Sequence, residues 1–392
     1  MKPRMIREDV YLVGAVDWDR RMFDALVPLP DGTSYNAYLV QGLERTALLD
    51  TVDPSMSETL MAQLDGVERI DYIVAHHAEQ DHSGSIPLVL SRYPGARVVC
   101  NPKCKGMLME LLGIPDERFV TVEDRETLSL GGKTLEFIFT PWVHWPETMA
   151  SYLKEDRILF SCDLFGSHLA TSDLYSTERA RAEEAAKRYY AEIMMPFRTF
   201  VQRNLERLAG YEIDVIAPSH GPLHDKPSLM MDSYREWASD RPGNLVVVPY
   251  VSMHGSTRRM VEHLVGELVS NGLGVRQFDL TVADIGKLAV ALVDAATIVI
   301  GTSTVHVGPH PLAVYAAYLA NSLKSKARFA SVVGSYGWGT KAVEQITSQI
   351  SGLKVEMLEP VVCRGFPGEA ELRALEGLAE SIAQRHRQLG LM

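Results

Sequence analysis

The hydrophobic pattern changes character partway along the chain. Over residues 8–51 apolar stretches alternate with turn residues: Val10 to Val16, Tyr35 to Gln41 and Thr46 to Thr51, separated by Asp31-Gly32 and Gly42. This predicts a meander of strands. Tyr72 to Ala75, Ala96 to Cys100, Lys133 to Thr140, Arg157 to Cys162 and Asp214 to Pro218 predict further strands. Helical periodicity marks Ser57 to Leu64, Pro87 to Arg92, Lys103 to Leu112 with Gly113 at its end, and a long Ala/Glu/Arg-rich region from Ser176 to Leu208 interrupted near Pro196. Strands alternating with helices in this way fit an α/β sandwich of two sheets covered by helices on both outer faces, four layers in all.

After the turn-rich linker Trp237 to Asn244 the pattern becomes that of a doubly covered parallel sheet. Leu245 to Val251 is a continuous apolar run, followed by an amphipathic helix over Arg258 to Ser270. Val275 to Leu280, Thr297 to Gly301, Arg328 to Gly334 and Lys354 to Leu358 predict four more strands, and Glu369 to Gln388 a closing helix. Five strands alternating with helices predict a doubly wound domain whose ligand crevice lies at the carboxyl ends of the strands. We therefore expect two domains, 1–240 and 245–392, which suits a length of 392 residues.

Composition narrows the function classes. A hydrophobic share of 46% with 23% charged residues is that of a globular protein with room for two cores. A net charge of −11 argues against nucleic acid as a partner. No run approaches the length of a membrane span, and Met1-Lys2-Pro3-Arg4-Met5 lacks a signal-peptide core, so a cytoplasmic protein with no membrane attachment is expected. The cysteines Cys100, Cys104, Cys162 and Cys363 form no C-x-x-C pair, which predicts neither disulfide nor iron–sulfur centre.

The chemistry concentrates where the strand Tyr72 to Ala75 ends. His76-His77-Ala78-Glu79-Gln80-Asp81-His82 places ligand-type side chains on the rim of a sheet, and Ser83-Gly84 then breaks the pattern. A polar loop would account for one histidine there, but not for this cluster. Farther along, the runs Lys133 to Thr140, Arg157 to Cys162 and Asp214 to Pro218 lead to His144 within Pro141-Trp142-Val143-His144-Trp145-Pro146, Asp163 after Phe160-Ser161-Cys162, and His220 within Ser219-His220-Gly221. Tyr189 and Tyr190 read either as core aromatics or as a proton donor to the metal pocket, with Tyr190 the residue expected there. His168 and His224 lie near ligand positions and are read as supporting or incidental. Asp50, at a strand end, is read as a capping or supporting residue.

In the second half the segment Ser252-Met253-His254-Gly255-Ser256-Thr257 joins a strand to a helix N-terminus. Backbone amides, hydroxyls and the helix dipole there suit a phosphate. It has no lysine for a P-loop and no G-x-G-x-x-G. Thr302-Ser303-Thr304-Val305-His306-Val307-Gly308 and Ser335-Tyr336-Gly337-Trp338-Gly339 follow the third and fourth strands. Small residues in these loops leave room for a flat ring, with Tyr336 and Trp338 as its aromatic neighbours.

The spacing His77-x-Glu79-x-Asp81-His82 resembles the His-x-His-x-Asp-His motif of the metallo-β-lactamase fold with its second His replaced by Glu, the form found in flavodiiron proteins. The other family positions are matched by His144, Asp163 and His220, and Ser252 to Thr257 resembles the FMN-phosphate loop of flavodoxins. The resemblance implies a metallo-β-lactamase-like αββα sandwich followed by a flavodoxin-like five-stranded parallel sheet. It implies FMN and two non-haem irons: His77, Glu79 and His144 on one, Asp81, His82 and His220 on the other, with Asp163 bridging. It also implies reduction of dioxygen to water or of nitric oxide to nitrous oxide. The electrons would come from an external donor, rubredoxin or a reduced deazaflavin, since no cysteine pairs or further flavin domain follow residue 392. A head-to-tail homodimer, or a dimer of such dimers, is expected. A carboxylate-rich set suits iron better than zinc, whereas a metal-dependent hydrolase of the same fold would have little use for an FMN domain. One position departs from the family: Phe23 is followed by Asp24 where many members have His.

Overall fold

The computed structural model describes residues 2–392; Met1, at the start of the segment read above for a signal peptide, lies outside the described residues. The chain divides into two compact units. One runs to Tyr190 and resumes over Phe197–Ala238; the other combines Ala191–Pro196 with Ser239–Met392.

The first unit is the expected sandwich. Strands β1 (Arg4–Arg7) and β2 (Val10–Asp17) lead to a short hairpin, β3 (Met22–Phe23) and β4 (Val27–Pro28), then to β5 (Thr33–Gln41) and β6 (Thr46–Leu49). Helix α1 (Ser57–Gln63) precedes β7 (Tyr72–Val74), and α2 (Gln80–Ser83), α3 (Ile86–Arg92), β8 (Arg97–Cys100), α4 (Pro102–Leu112) and β9 (Phe119–Thr121) follow. The first sheet has the order β1-β2-β5-β6-β7-β8-β9. It is antiparallel up to β6 and parallel beyond it. The second sheet, β10 (Thr127–Ser129), β11 (Thr134–Phe139), β12 (Met149–Leu153), β13 (Ile158–Cys162) and β14 (Val215–Pro218), keeps sequence order and is parallel only between β13 and β14. Their facing sides interdigitate: Tyr38, Val40, Leu49 and Val74 from one meet Phe137, Met149, Phe160 and Ala217 from the other. Each such fully buried aliphatic or aromatic side chain contributes roughly 1.5–3 kcal/mol.

The long helical region is two helices, α5 (Arg179–Tyr189) and α6 (Arg198–Leu208). A wide turn over Tyr190–Met194 and a tight one over Met195–Phe197 separate them, since Pro196 has no amide hydrogen for a continuous ladder. Helix α7 (Pro227–Ala238) ends the unit. Strands β9, β10 and β12 carry no clear alternation and were not expected from the sequence.

The second unit is a parallel sheet. Strand β15 (Leu245–Tyr250), helix α8 (Ser256–Ser270), β16 (Gly274–Asp279), α9 (Ile285–Asp294), β17 (Thr297–Val305), β18 (Gly308–Pro309), α10 (Pro311–Ser322), β19 (Phe329–Tyr336), α11 (Ala342–Gln349), β20 (Glu356–Met357), β21 (Val361–Arg364) and α12 (Glu369–Gln388) follow in turn. The order β16-β15-β17-β19-β20 reverses direction at β15, which opens a crevice at the carboxyl ends. The fifth strand departs from expectation. Only Glu356 and Met357 of the stretch Lys354 to Leu358 pair with β19, and Pro360 then interrupts before Val361–Arg364 continues the pairing farther along β19. No helix among the described residues is long and apolar enough to cross a membrane.

Candidate metal centre and flavin cradle

Strand β7 ends at Val74 in the parallel part of the first sheet, and the chain emerges as His76 and His77. Glu79 caps the single-turn helix α2 in extended conformation, at φ −60° and ψ 141°. That turn is closed by the amides of His82 and Ser83 on the Glu79 carbonyl, at 3.0 and 2.9 Å, and it separates the loop's ligands into two directions. Asp163 and His220 come from the carboxyl ends of the adjacent parallel strands β13 and β14. His144 comes from the loop between β11 and β12. Asp50, Trp142, Cys162 and Phe165 around them take φ between 54° and 71°, a region non-glycine residues enter at a cost. Gly221 follows His220 at φ 79°, where a Cβ would stand 2.1 Å from the Ser167 hydroxyl, so only glycine closes this turn.

All seven side chains expected as metal ligands converge. His77, Glu79, His144 and Asp163 form one group of donor atoms, and Asp81, His82 and His220 form another. In the first group Glu79 Oε2 lies 3.0 Å from His77 Nε2 and 3.2 Å from His144 Nε2. Asp163 Oδ2 lies 3.6 and 3.4 Å from the same two nitrogens. In the second group Asp81 Oδ1 lies 3.4 Å from His82 Nε2, and Asp81 Oδ2 lies 3.2 Å from His220 Nε2. Asp163 Oδ1 faces these nitrogens at 3.1 and 3.4 Å. The two oxygens of Asp163 thus face different groups.

The site fits a pair of cations. Donors that share one ion at bonds of about 2.1 Å stand about 3 Å or slightly more apart, as these do. Both carboxylate oxygens of Asp81 and of Asp163, and Nε2 of His82, are buried and make no hydrogen bond. The contacts of 3.1–3.4 Å between them do not have hydrogen-bond geometry. Burial alone would lower the imidazole pKa values, yet the surrounding carboxylates raise His77 and His220 to about 10 and His82 and His144 to about 9. Asp163 and Glu79 are correspondingly held below the usual carboxylate range despite burial. Protons here take the place of cations. Asp50, His82 and Cys162 form a third close group, but both Asp50 oxygens already accept from His76 and burial pushes the Cys162 thiol well up.

The supporting contacts were not read from the sequence. Glu147 accepts from His77 Nδ1 at 2.7 Å and from the Ala78 amide at 3.0 Å. The Ser34 carbonyl accepts from His220 Nδ1 at 2.7 Å. Both contacts leave Nε2 free for an ion. Glu147, three residues after His144 and next to Pro146, carried the one available signal, a carboxylate in the ligand loop. Asp24, at the tip of the β3–β4 hairpin, lies against Glu79; partial burial and that carboxylate raise Asp24 to about 6.

Tyr190 is corrected. Its hydroxyl donates to the Trp237 carbonyl at 3.2 Å, and its ring packs on Tyr234 and Trp237. Its neighbour Tyr189 stands 4.9 Å from the His168 ring and 5.8 Å from that of His220. Burial, then the charge of Asp163, pushes the Tyr189 phenol well up, so it stays protonated. His168 lies 5.0 Å from the His220 ring and bonds Thr33 Oγ1 at 2.9 Å through Nδ1. His224 bonds the Phe165 carbonyl at 3.0 Å and serves the fold.

In the second unit the three expected loops gather at the carboxyl edge of the sheet. Gly255, at φ 90°, turns the chain into α8, and Ser252 Oγ accepts from the amides of Gly255 and Arg258 at 3.2 and 3.1 Å. Helix α8 begins at Ser256, two residues earlier than expected, so Ser256 and Thr257 sit in its first turn, where amides point at an anion. Met253 donates its amide to Ser303 Oγ at 3.1 Å, and its side chain and that of His254 face out. Thr257 Oγ1 touches Ser303 Oγ and Ser335 Oγ at 3.3 and 3.1 Å, tying all three loops together. Thr302 Oγ1 accepts from the His310 amide, and Thr304 bonds Thr340. Val305 and Gly308 pair across a turn in which His306 and Val307 take φ 48° and 69°. Tyr336 and Gly337 offer carbonyls to Gly365 and Arg364, which brings the Phe366 loop beside Trp338 and Gly339. Trp338 is 80% exposed and Phe366 69%, the latter unforeseen. A phosphate-sized cradle with exposed aromatics at its rim fits FMN.

A two-cation centre on a metallo-β-lactamase-type sandwich, in one chain with a flavodoxin-type sheet, defines a flavin- and metal-dependent redox protein. Residues 33–221 match the ODP family beta lactamase model and residues 248–383 the flavodoxin model. The chain is 32% identical to a nitric oxide reductase of Moorella thermoacetica, over 98% of this chain and 99% of that one. It is 33% identical to a coenzyme F420H(2) oxidase of Methanothermobacter marburgensis, over 91% and 93%. The rubredoxin oxygen:oxidoreductase of Desulfovibrio gigas superposes with a TM-score of 0.96 at 28% identity, covering 100% of both chains. The flavodiiron protein of Giardia intestinalis does so with 0.94 at 28%, covering 99% and 98%. The chain belongs to the flavodiiron protein family.

Proposed function

We propose that this protein reduces dioxygen, nitric oxide or both, with one FMN and two irons per chain and electrons from an external donor. The observation that carries the reading is Asp163, whose two oxygens each serve one of two histidine–carboxylate groups in a chain that also bears a flavodoxin unit. FMN would supply two electrons singly, and two neighbouring irons would offer reducing equivalents to one gas molecule. The chain's own residues do the rest. His77, Glu79, His144, Asp81, His82, His220 and Asp163 hold and space the metals, Glu147 and the Ser34 carbonyl orient two of the imidazoles, and Tyr189 holds a proton beside Asp163. Ser252 to Thr257 hold the phosphate, and the loops beginning at Thr302 and Ser335 hold the ring.

The relatives named for nitric oxide reduction and for F420H(2) oxidation, and the structure named for rubredoxin and oxygen, support both gases and both donor classes. The 392 residues contain no C-x-x-C pair, so a rubredoxin-type centre must be supplied from outside them. Metal and flavin sites on separate units favour a head-to-tail homodimer, alone or paired, in the cytoplasm. The hydrolase reading is not favoured, since it leaves the flavodoxin unit without a role. Anaerobic stopped-flow decides: the reduced, metal-loaded protein should be reoxidised by O2 or NO at catalytic rates, and a protein inert to both but hydrolytically active would overturn the proposal. Sedimentation at assay concentration tests the dimer, and an active monomer would exclude it.

A further inference from the structure

We propose that His76 is a positioning residue of the metal centre: its imidazole spans the sandwich between Asp50 and Ser151 and sets where His77 and Glu79 stand relative to His144. The inference rests on the two-metal reading above and goes beyond it, because His76 touches neither ligand group.

His76 directly precedes the ligand loop and is held at four points. Its amide donates to Asp50 Oδ1 at 2.8 Å and its Nδ1 to Asp50 Oδ2 at 2.7 Å. Its Nε2 meets Ser151 Oγ at 2.7 Å. Its carbonyl accepts from the Met149 amide at 3.0 Å. Asp50 follows β6 of the first sheet, while Ser151 and Met149 lie on β12 of the second. One residue therefore fastens the loop to both sheets. Asp50, His76 and Ser151 are 2%, 1% and 0% exposed, so bulk water does not reach these bonds.

A carboxylate accepts, so Nδ1 donates to Asp50, and Nε2 shares a hydrogen bond with the Ser151 hydroxyl. Held at both ring nitrogens, its amide and its carbonyl, His76 fixes the spacing across the bridge. Asp50 is itself fixed at φ 56° by its amide on the Val74 carbonyl at 2.8 Å. The bond to Met149 places the loop against the segment that carries His144 and Glu147, and Glu147 holds His77. A metal site tolerates misplacement of only about 0.5 Å, so the length of this crosspiece sets whether the first ligand group closes.

The test uses the full protein loaded with iron, and a second preparation loaded with Co2+. Ser151→Ala removes one hydroxyl, and His76→Asn keeps an amide near the Nδ1 position toward Asp50 but no longer reaches Ser151. Both delete the same arm. Each should release iron to a chelator about 10–100-fold faster than the parent and change the visible Co2+ absorption. The double variant should do no more than the stronger single one, and FMN content should stay unchanged. Unaltered release and Co2+ spectra would reduce His76 to a core residue even if the thermal midpoint falls, and additive losses would exclude a single bridge. Should His76→Asn fail to fold, Ser151→Ala decides alone. A parent protein that takes up no metal would overturn the two-metal reading and this proposal together; a loaded parent with insensitive variants overturns only the latter.

Discussion

Among the proposed ligands, Glu79 is the one that would separate this centre from an imidazole-rich zinc site. Its Oε2 sits between His77 and His144, so a histidine there would remove one negative charge and favour a softer set. Glu79→His should keep the fold and the FMN but exchange iron for zinc and abolish gas reduction, as metal analysis and anaerobic reoxidation would record. Two irons per chain with near-normal turnover would instead place the metal choice in contacts such as Glu147. Tyr189 and Tyr190 make a second test between neighbours. Tyr189→Phe should lower gas reduction by on the order of 10²-fold with metal content intact, whereas Tyr190→Phe should change only stability. Equal effects on turnover would exclude a proton role for Tyr189. Adjacent residues near a helix end point about 100° apart. Which of them faces the metals depends on where α5 stops and how α7 packs, and neither is written in the local pattern.

At the scale of elements, both sites lie where parallel strands end. Strands β7, β13 and β14 lead into the two histidine–carboxylate groups, and β15, β17 and β19 into the three loops proposed for the flavin, since parallel strands present their carboxyl ends on one edge. The three flavin loops are joined by the Thr257 hydroxyl, buried between Ser303 and Ser335. Thr257→Val keeps the shape and leaves those hydroxyls without this partner. A net loss of about 1–2 kcal/mol should weaken FMN binding by about tenfold, read by fluorescence titration of the stripped protein, while metal content stays unchanged. Unaltered FMN affinity would show that the loops keep their places without it.

For the whole molecule, metal binding and protonation are linked. In metal-free protein the four ligand histidines have pKa values raised to about 9–10, against 6.5 when unfolded. Their folded state therefore binds more protons than the unfolded one. The stability this gives is full below about pH 6.5 and is lost as pH rises through 9–10. Metal uptake must displace these protons and so strengthens over the same range. The thermal midpoint of the metal-free sandwich should fall from pH 7 to 10, and its gap to the loaded protein should widen. Calorimetric titration with Fe2+ or Co2+ at pH 7 should detect proton release in buffers of different ionisation heat. A constant gap with no proton release would mean that the histidines are neutral before metal arrives.

The amino-acid sequence alone determined the two fold types and the alternation of strands and helices, and it singled out the seven side chains that the structure gathers into two groups and the three loops that meet at one sheet edge. It could do so because these depend on local order: ligands packed into a seven-residue loop, single ligands at the ends of apolar runs, small residues between a strand and a helix. Tertiary structure decided what depends on distance along the chain. It split the oxygens of Asp163 between two groups, brought Glu147 to His77 across 70 residues, chose Tyr189 over Tyr190, and divided the fifth flavodoxin strand at Pro360. It also turned His76 from one more histidine in a cluster into the link between two sheets. Such contacts leave no periodic trace, because a hydrogen bond between buried side chains needs two complementary residues brought together by packing, and either one alone reads as an ordinary polar position.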